Sequence, residues 1–250
     1  LETYLIQAAI TKNNERNGFI RRIRKSIQNG EDMDLGLIRA ESYDSINEQD
    51  VSPERFRDFV LNTNIGGSSL AKWTEDPTIY IIPENPITGD KMTEDEINRS
   101  LEVTDLLIEQ YGRPLNVQVT QDTSDYEISG TNVMGNNGIA WVKGGTDGNA
   151  GTALPRITET GEYTSAGITI AQFVYDASPE ALKGVGLEEL YQAIVAPIDT
   201  PKKFGDISAL PEFSDFGQPT NVDKKLLKIG SEETYQPGLQ LDDFLALEYK

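Results

Sequence analysis

The chain contains no cysteine and no histidine, and that double absence most narrows what it can fold into. No disulfide can staple it, and no thiolate or imidazole can hold a structural zinc. An apolar core must therefore hold the fold. With 250 residues, 37% of them hydrophobic, the chain can build one sizeable core, with or without an appended arm. The same absence removes a Ser-His-Asp triad, a cysteine nucleophile and a histidine general base from the available chemistry.

Charge narrows the partners. The net charge is −19, from 22 basic and 41 acidic residues, and it is unevenly spread: residues 1–40 hold seven bases and five acids, leaving 15 bases against 36 acids in the rest. A body this acidic repels phosphate backbones and anionic lipid, so no nucleic acid is expected as a partner. No run of 18 apolar residues exists, so no transmembrane span is expected either. The one basic run, "FIRRIRKSI", places Phe19, Ile20, Ile23 and Ile27 at helical spacing with Arg21, Arg22, Arg24 and Lys25 among them. That pattern reads as an amphipathic arm whose basic face meets an acidic protein surface, its own or that of a neighbouring copy.

Periodicity divides the chain into residues 1–50, an N-terminal helical arm with a polar connector, and 51–250, an α+β domain. The arm helix is expected over residues 3–28, closed by Gly30. Ser52-Pro53-Glu54 opens a helix in good form, with a serine cap, proline in the first turn and an acid at the positive end. It turns Phe56, Phe59, Val60 and Leu61 inward and is expected to end at Gly66-Gly67. "PTIYIIP" reads as a strand. The run Thr93–Gly112 reads as a long helix, with Thr93 and Glu96 as a capping box and a buried stripe of Ile97, Leu101, Thr104, Leu107, Ile108 and Tyr111. "LNVQVTQ" and "YEISGTN" alternate as strands do, "GGTDGNAGT" reads as a flexible surface loop, and "SAGITIAQFVYDA" over residues 165–177 reads as an edge strand. Ser178-Pro179-Glu180 then repeats the Ser-Pro-Glu start and leads into the helix containing "VGLEELYQAI".

The run from "FRDFVLNTNIGGSSLAKWTEDPTIYII" through the long helix to "LEELYQAIVAPID", "FSDFGQPTNVDKKLLKI" and "YQPG" resembles a bacterial family of uncharacterised secreted zincin-like proteins. That family carries an E-E-x-x-Q helix where a metalloprotease has H-E-x-x-H. The likeness spans about residues 55–240 and departs from the family pattern at Ile194-Val195, where the family has Leu-Gly, and around Gly230, where its Leu-Tyr is missing. It implies a zincin-like mixed sheet with a long backing helix, a degenerate active-site helix below the edge strand, and an extracellular or cell-surface location. By position it sets Glu188 and Gln192 where imidazoles would bind metal, Glu189 where the general base would stand, and Asp199 near the third ligand.

A zincin needs two neutral imidazoles one helical turn apart to hold Zn²⁺, and a glutamate beside them to take a proton from bound water. Only the glutamate survives here. Three readings of the stretch follow, in order of preference. Glu188 and Glu189 are solvated or capping acids near a helix start. Alternatively, Glu188, Gln192 and Asp199 form a rebuilt oxygen site, better matched to Ca²⁺ than to zinc. Last, Glu189 still activates water in a metallopeptidase-like hydrolase with an oxygen-ligated metal. The preferred functional class is accordingly a non-catalytic binding or assembly protein without cofactor, a pseudoenzyme whose arm residues Phe19, Arg21, Arg22, Arg24 and Lys25 reach a protein partner or a second copy. Asp125, Glu127 and Asp147 stand near glycines, as weak calcium loops begin, yet lack helix-loop-helix spacing. "GGTDGNAGT" lacks the Lys-Ser/Thr of a phosphate loop, and Trp73 and Trp141 read as core or rim positions rather than a stacking platform.

Overall fold

In the computed structural model, the described residues are 52–63, 70–111, 113–145, 148–195, 221–232, 235–240 and 243. The arm and connector, Asp147 and Asp199 lie outside them. The elements, in chain order, are α1 (Pro53–Thr63), β1 (Thr78–Ile81), α2 (Glu94–Tyr111), β2 (Val117–Val119), β3 (Tyr126–Ser129), β4 (Asn132–Gly135), β5 (Gly138–Gly144), β6 (Gly151–Ile157), β7 (Tyr163–Ala171), α3 (Gln172–Ala177), α4 (Pro179–Ile194) and α5 (Asn221–Ser231). The fold is α+β. A five-stranded mixed sheet has the order β2-β1-β5-β7-β6, and β3 and β4 form a separate hairpin. Pairings β1 with β2, β1 with β5 and β5 with β7 are parallel, while β6 runs antiparallel to β7 as an outer strand.

Both faces of the sheet are covered, each by different residues of the same strands. Ile79, Ile81, Ile139, Trp141, Ala166, Ile168 and Ile170 point into the larger core, which also contains Leu107 of α2 and Leu182 and Leu190 of α4. The alternate residues Ile82, Ala140 and Val142 pack with Val133 of β4, and Tyr80 and Tyr126 close that smaller cluster. Alternation along a strand delivers side chains to opposite faces, so one strand feeds both cores. All seven residues of β5, "GIAWVKG", are buried. A strand buried on both faces shows no polar alternation, and nothing in the periodicity marked this one.

The expected caps form. Arg55 N donates to Ser52 Oγ at 3.3 Å and Ala181 N to Ser178 Oγ at 3.1 Å. Thr93 N donates to Glu96 Oε2 at 2.6 Å while Glu96 N donates to Thr93 Oγ1 at 3.2 Å, a reciprocal capping box. Phe56, Phe59 and Val60 of α1 are buried; the Leu61 side chain and Gly66-Gly67 lie outside the described residues. On α2 the deepest positions are Glu96, Ser100, Val103, Thr104, Leu107 and Tyr111, with Ile97, Leu101 and Ile108 partly buried against the core.

Three expectations need correction. The strand expected over 165–177 ends at Ala171, and Gln172–Ala177 is the short helix α3. That strand is also interior: the outer strand above α4 is β6, which draws Gly151 and Thr152 from the presumed glycine-rich loop, while Gly144 from the same stretch closes β5. Third, "YEISGTN" is not one strand but most of a hairpin, turning at Gly130, whose φ is +62°. Glycine and proline in "GTALPRI" hid β6, since both weaken a strand pattern and are tolerated at a sheet margin.

The hairpin sits so close to the sheet that a Cβ at Gly167 would lie 2.2 Å from the Val133 carbonyl oxygen. Backbone cannot yield as a side-chain tip can. Gly167→Ala is expected to destabilise the protein by roughly 1–3 kcal/mol, as overpacking does. Gly145→Ala, facing open space, is expected to stay within about 0.5 kcal/mol. Urea denaturation midpoints of the two variants check this.

Candidate functional site

Helix α4 carries the sequence-nominated residues and lies beneath β6 and β7. It approaches the sheet closely because it presents Gly186 to Trp141: a Cβ there would sit 2.7 Å from the Trp141 ring. Trp141 is fully buried, and its indole N–H donates to Tyr175 Oη at 2.9 Å. Left unpaired, that buried donor would cost about 1–3 kcal/mol. At the other end of α4, Trp73 donates to the Ala193 carbonyl at 3.0 Å and stacks on Tyr163 at 5.6 Å. Both tryptophans are thus core residues.

This close approach decides the environment of Glu189. The residue is 4% exposed and packs against the bare Cα of Gly151 on β6; a Cβ at 151 would meet its Oε1 at 2.6 Å and its Cγ at 2.8 Å. The reading of Glu189 as a solvated acid near a helix start is therefore overturned. It stands well inside a helix that begins at Pro179, beyond the first turn where the macrodipole favours acids, and faces the sheet. Glu188 and Gln192 are half-buried, one helical turn apart on the same helix. The structure so brings together two of the three proposed ligand positions; the third, Asp199, is among the residues not described. No group of three or more acidic side chains among the described residues is arranged to hold a metal ion. Of the other calcium-loop candidates, Asp125 accepts from Thr120 Oγ1 at 2.6 Å, and Glu127 pairs with Arg156.

Sequence reasoning missed the best-defined buried polar group. Lys143, near the end of β5, donates to both carboxylate oxygens of Glu96 at 2.9 and 3.1 Å, with side-chain exposures of only 6% and 7%. The ammonium also lies 5.8 Å from the centroid of the Tyr175 ring, and Gln172 Nε2 reaches Glu96 Oε1 at 3.5 Å. Burial alone would push the Glu96 carboxyl up, but Lys143 and the Thr93 amide outweigh it and hold the group below its ordinary value. Burial pushes the Tyr175 phenol up to about 12. The pair joins the capped start of α2 to the carboxyl end of β5. It is too enclosed to meet a substrate. The signals for it were the lone lysine in the apolar run "IAWVKGG" and the glutamate already assigned to a cap.

Comparison of the chain with protein-family models, curated proteins and solved structures finds no match.

Lys143→Met leaves the Glu96 carboxylate buried without its cation, a loss that typically costs about 3–5 kcal/mol. Glu96→Gln added to it is expected to recover a large part, because no buried charge then remains. A double-mutant cycle by urea denaturation measures the coupling. The pH dependence has a definite sign. Because the folded-state value of Glu96 is depressed, its stabilisation is complete above the usual carboxylate range and is lost as pH falls through the lowered value. The stability gap between wild type and Glu96→Gln should accordingly narrow on acidification.

Proposed function

We propose that this chain is a non-catalytic binding or assembly protein, secreted or displayed at a cell surface, on a zincin-like scaffold whose metal-binding helix has been rebuilt. One observation carries the reading: Glu189, in the position of the general base, is sealed between α4 and Gly151 of the outer strand. A general base must come within hydrogen-bond reach of the proton it takes, directly or through one water. At 4% exposure the Glu189 carboxylate is not presented to the solvent side from which a substrate and its water would come.

The outer strand supports the same conclusion. Ala171 N donates to the Ala150 carbonyl at 2.9 Å, so by alternation Thr152 and Leu154 direct their backbone groups toward β7, and Gly151, Ala153 and Pro155 direct theirs outward. Proline has no N–H to offer. An extended peptide laid along β6 would miss a hydrogen bond opposite Pro155, which weakens the strand as a substrate cradle. Glu188 and Gln192 offer only oxygen donors, which discriminate poorly in favour of zinc. The arm supplies the assembly function: its apolar residues need a packing partner, and Arg21, Arg22, Arg24 and Lys25 complement an acidic surface on this or an adjacent copy.

Purified protein is expected to cleave no member of a peptide library and to hold far less than one zinc per chain after dialysis. Stoichiometric zinc, together with cleavage abolished by Glu189→Gln, would establish the hydrolase instead. Light scattering on the full chain and on a form lacking residues 1–28 tests the arm. Loss of an oligomer on deletion is expected, and the same mass before and after would remove the arm from assembly.

A further inference from the structure

We infer that the Glu96–Lys143 junction is an acid-operated latch. One proton on Glu96 frees the start of α2, the loop before it and α3 from the end of β5, while the sheet and the rest of α2 stay folded. The inference stands apart from the assembly reading, which uses other parts of the molecule. A single carboxylate holds three pieces of chain together here. It accepts two bonds from Lys143 of β5, at 2.9 and 3.1 Å, one from the Thr93 N–H at the head of α2, at 2.6 Å, and one from Gln172 Nε2 at the start of α3, at 3.5 Å. Glu96 and Lys143 are each only 5% exposed. The loop before α2 is tied to the same point by Asn85, whose Nδ2 donates to the Lys143 carbonyl at 2.9 Å.

A protonated carboxyl no longer balances a buried ammonium, and acid cannot discharge a lysine. The uncompensated charge must then reach water. The junction lies beside exposed chain: Thr88, Asp90 and Lys91 of the loop, and Gln172 and Asp176 of α3. Farther along α2, Val103, Leu107 and Tyr111 are buried in the larger core. Lifting residues 83–99 and 172–177 hydrates Lys143 and leaves that core closed, and a local opening of this kind costs less than global unfolding. Glu96 is the one carboxylate paired with Lys143 among the described residues. The other charged and titratable groups around it are engaged elsewhere or set apart. Glu84 and Lys91 of the loop pair at 3.0 Å, Arg99 pairs with Asp95 and donates to the Tyr175 carbonyl, and Asp176 accepts from Gln172. Asp90 accepts from Thr88 Oγ1 at 2.7 Å, and the Tyr175 phenol, pushed up to about 12, stays neutral in acid. Because the folded-state value of Glu96 is depressed, the latch is closed above the usual carboxylate range and opens as pH falls through the lowered value.

Amide hydrogen exchange of the full chain, resolved by segment and corrected for the intrinsic effect of pH, tests the latch between about pH 7 and pH 3. The opening constant of residues 83–99 and 172–177 is expected to rise as pH falls, by up to about tenfold per pH unit, the slope of one proton. Strands β5 and β7 are expected to stay protected meanwhile. Glu96→Gln should open the same two segments at neutral pH, where no other carboxyl has been changed. Glu96→Gln combined with Lys143→Met leaves no buried charge to hydrate, and its two segments should not respond to pH while the sheet is protected. If Glu96→Gln alone fails to fold, the wild type and the double variant still decide. Three results overturn the latch: loss of protection in all segments together, no opening of the two segments ahead of the sheet, or a double variant that opens in acid as the wild type does.

Discussion

Strand β5 is covered on both faces, and the placement of nearly everything else follows from that constraint. Its residues alternate between a helix-side core containing Ile139 and Trp141 and a hairpin-side core containing Ala140 and Val142. A parallel strand so enclosed can end in a lysine only if that lysine finds a charge partner within the core, and Glu96 at the capped start of α2 supplies it. The pair in turn fixes where α2 crosses the sheet. On the neighbouring stretch, Trp141 demands a glycine on the helix beneath it, which Gly186 provides. That close approach carries Glu189 up against Gly151.

The centre of the molecule is consequently a place of packing rather than exchange with solvent. Glu189, Glu96 and Lys143 are all buried, and the polar groups around the ion pair are spent on one another: Tyr175 on Trp141 and Ser100, Gln172 on Glu96 and Asp176. What remains at the surface is charge. The exposed side of α2 carries acids and that of α5 carries lysines.

Legibility in the sequence depended on how local each feature is. The serine caps of α1 and α4 and the Thr93–Glu96 capping box were readable because a cap is decided within four residues. Strand β1 was readable from β-branched residues between prolines. Strand β5 was not, since enclosure on both faces erases the alternation that betrays a strand, and β6 was lost because Gly151 and Pro155 look like loop until the sheet margin is known. Glu96 was read as a cap and is also half of a buried pair, a second role set by a lysine 47 positions away. Glu189 was misread for the same reason: whether a helical glutamate meets water or a strand is decided by what packs above it. The ligand likeness of Glu188 and Gln192 follows from helical spacing, but Asp199 and the arm fall outside the described residues.

The central claim is that Glu189 is sealed under the outer strand, and carbodiimide-coupled carboxylate labelling of the native protein, read residue by residue by mass spectrometry, tests it directly. The exposed Glu102 and Glu109 serve as internal standards and Glu96 as a buried one. Glu189 is predicted to stay as protected as Glu96 until the protein is unfolded. Labelling of Glu189 at the pace of Glu102 in the folded state would mean an open cleft at that position and would contradict the account.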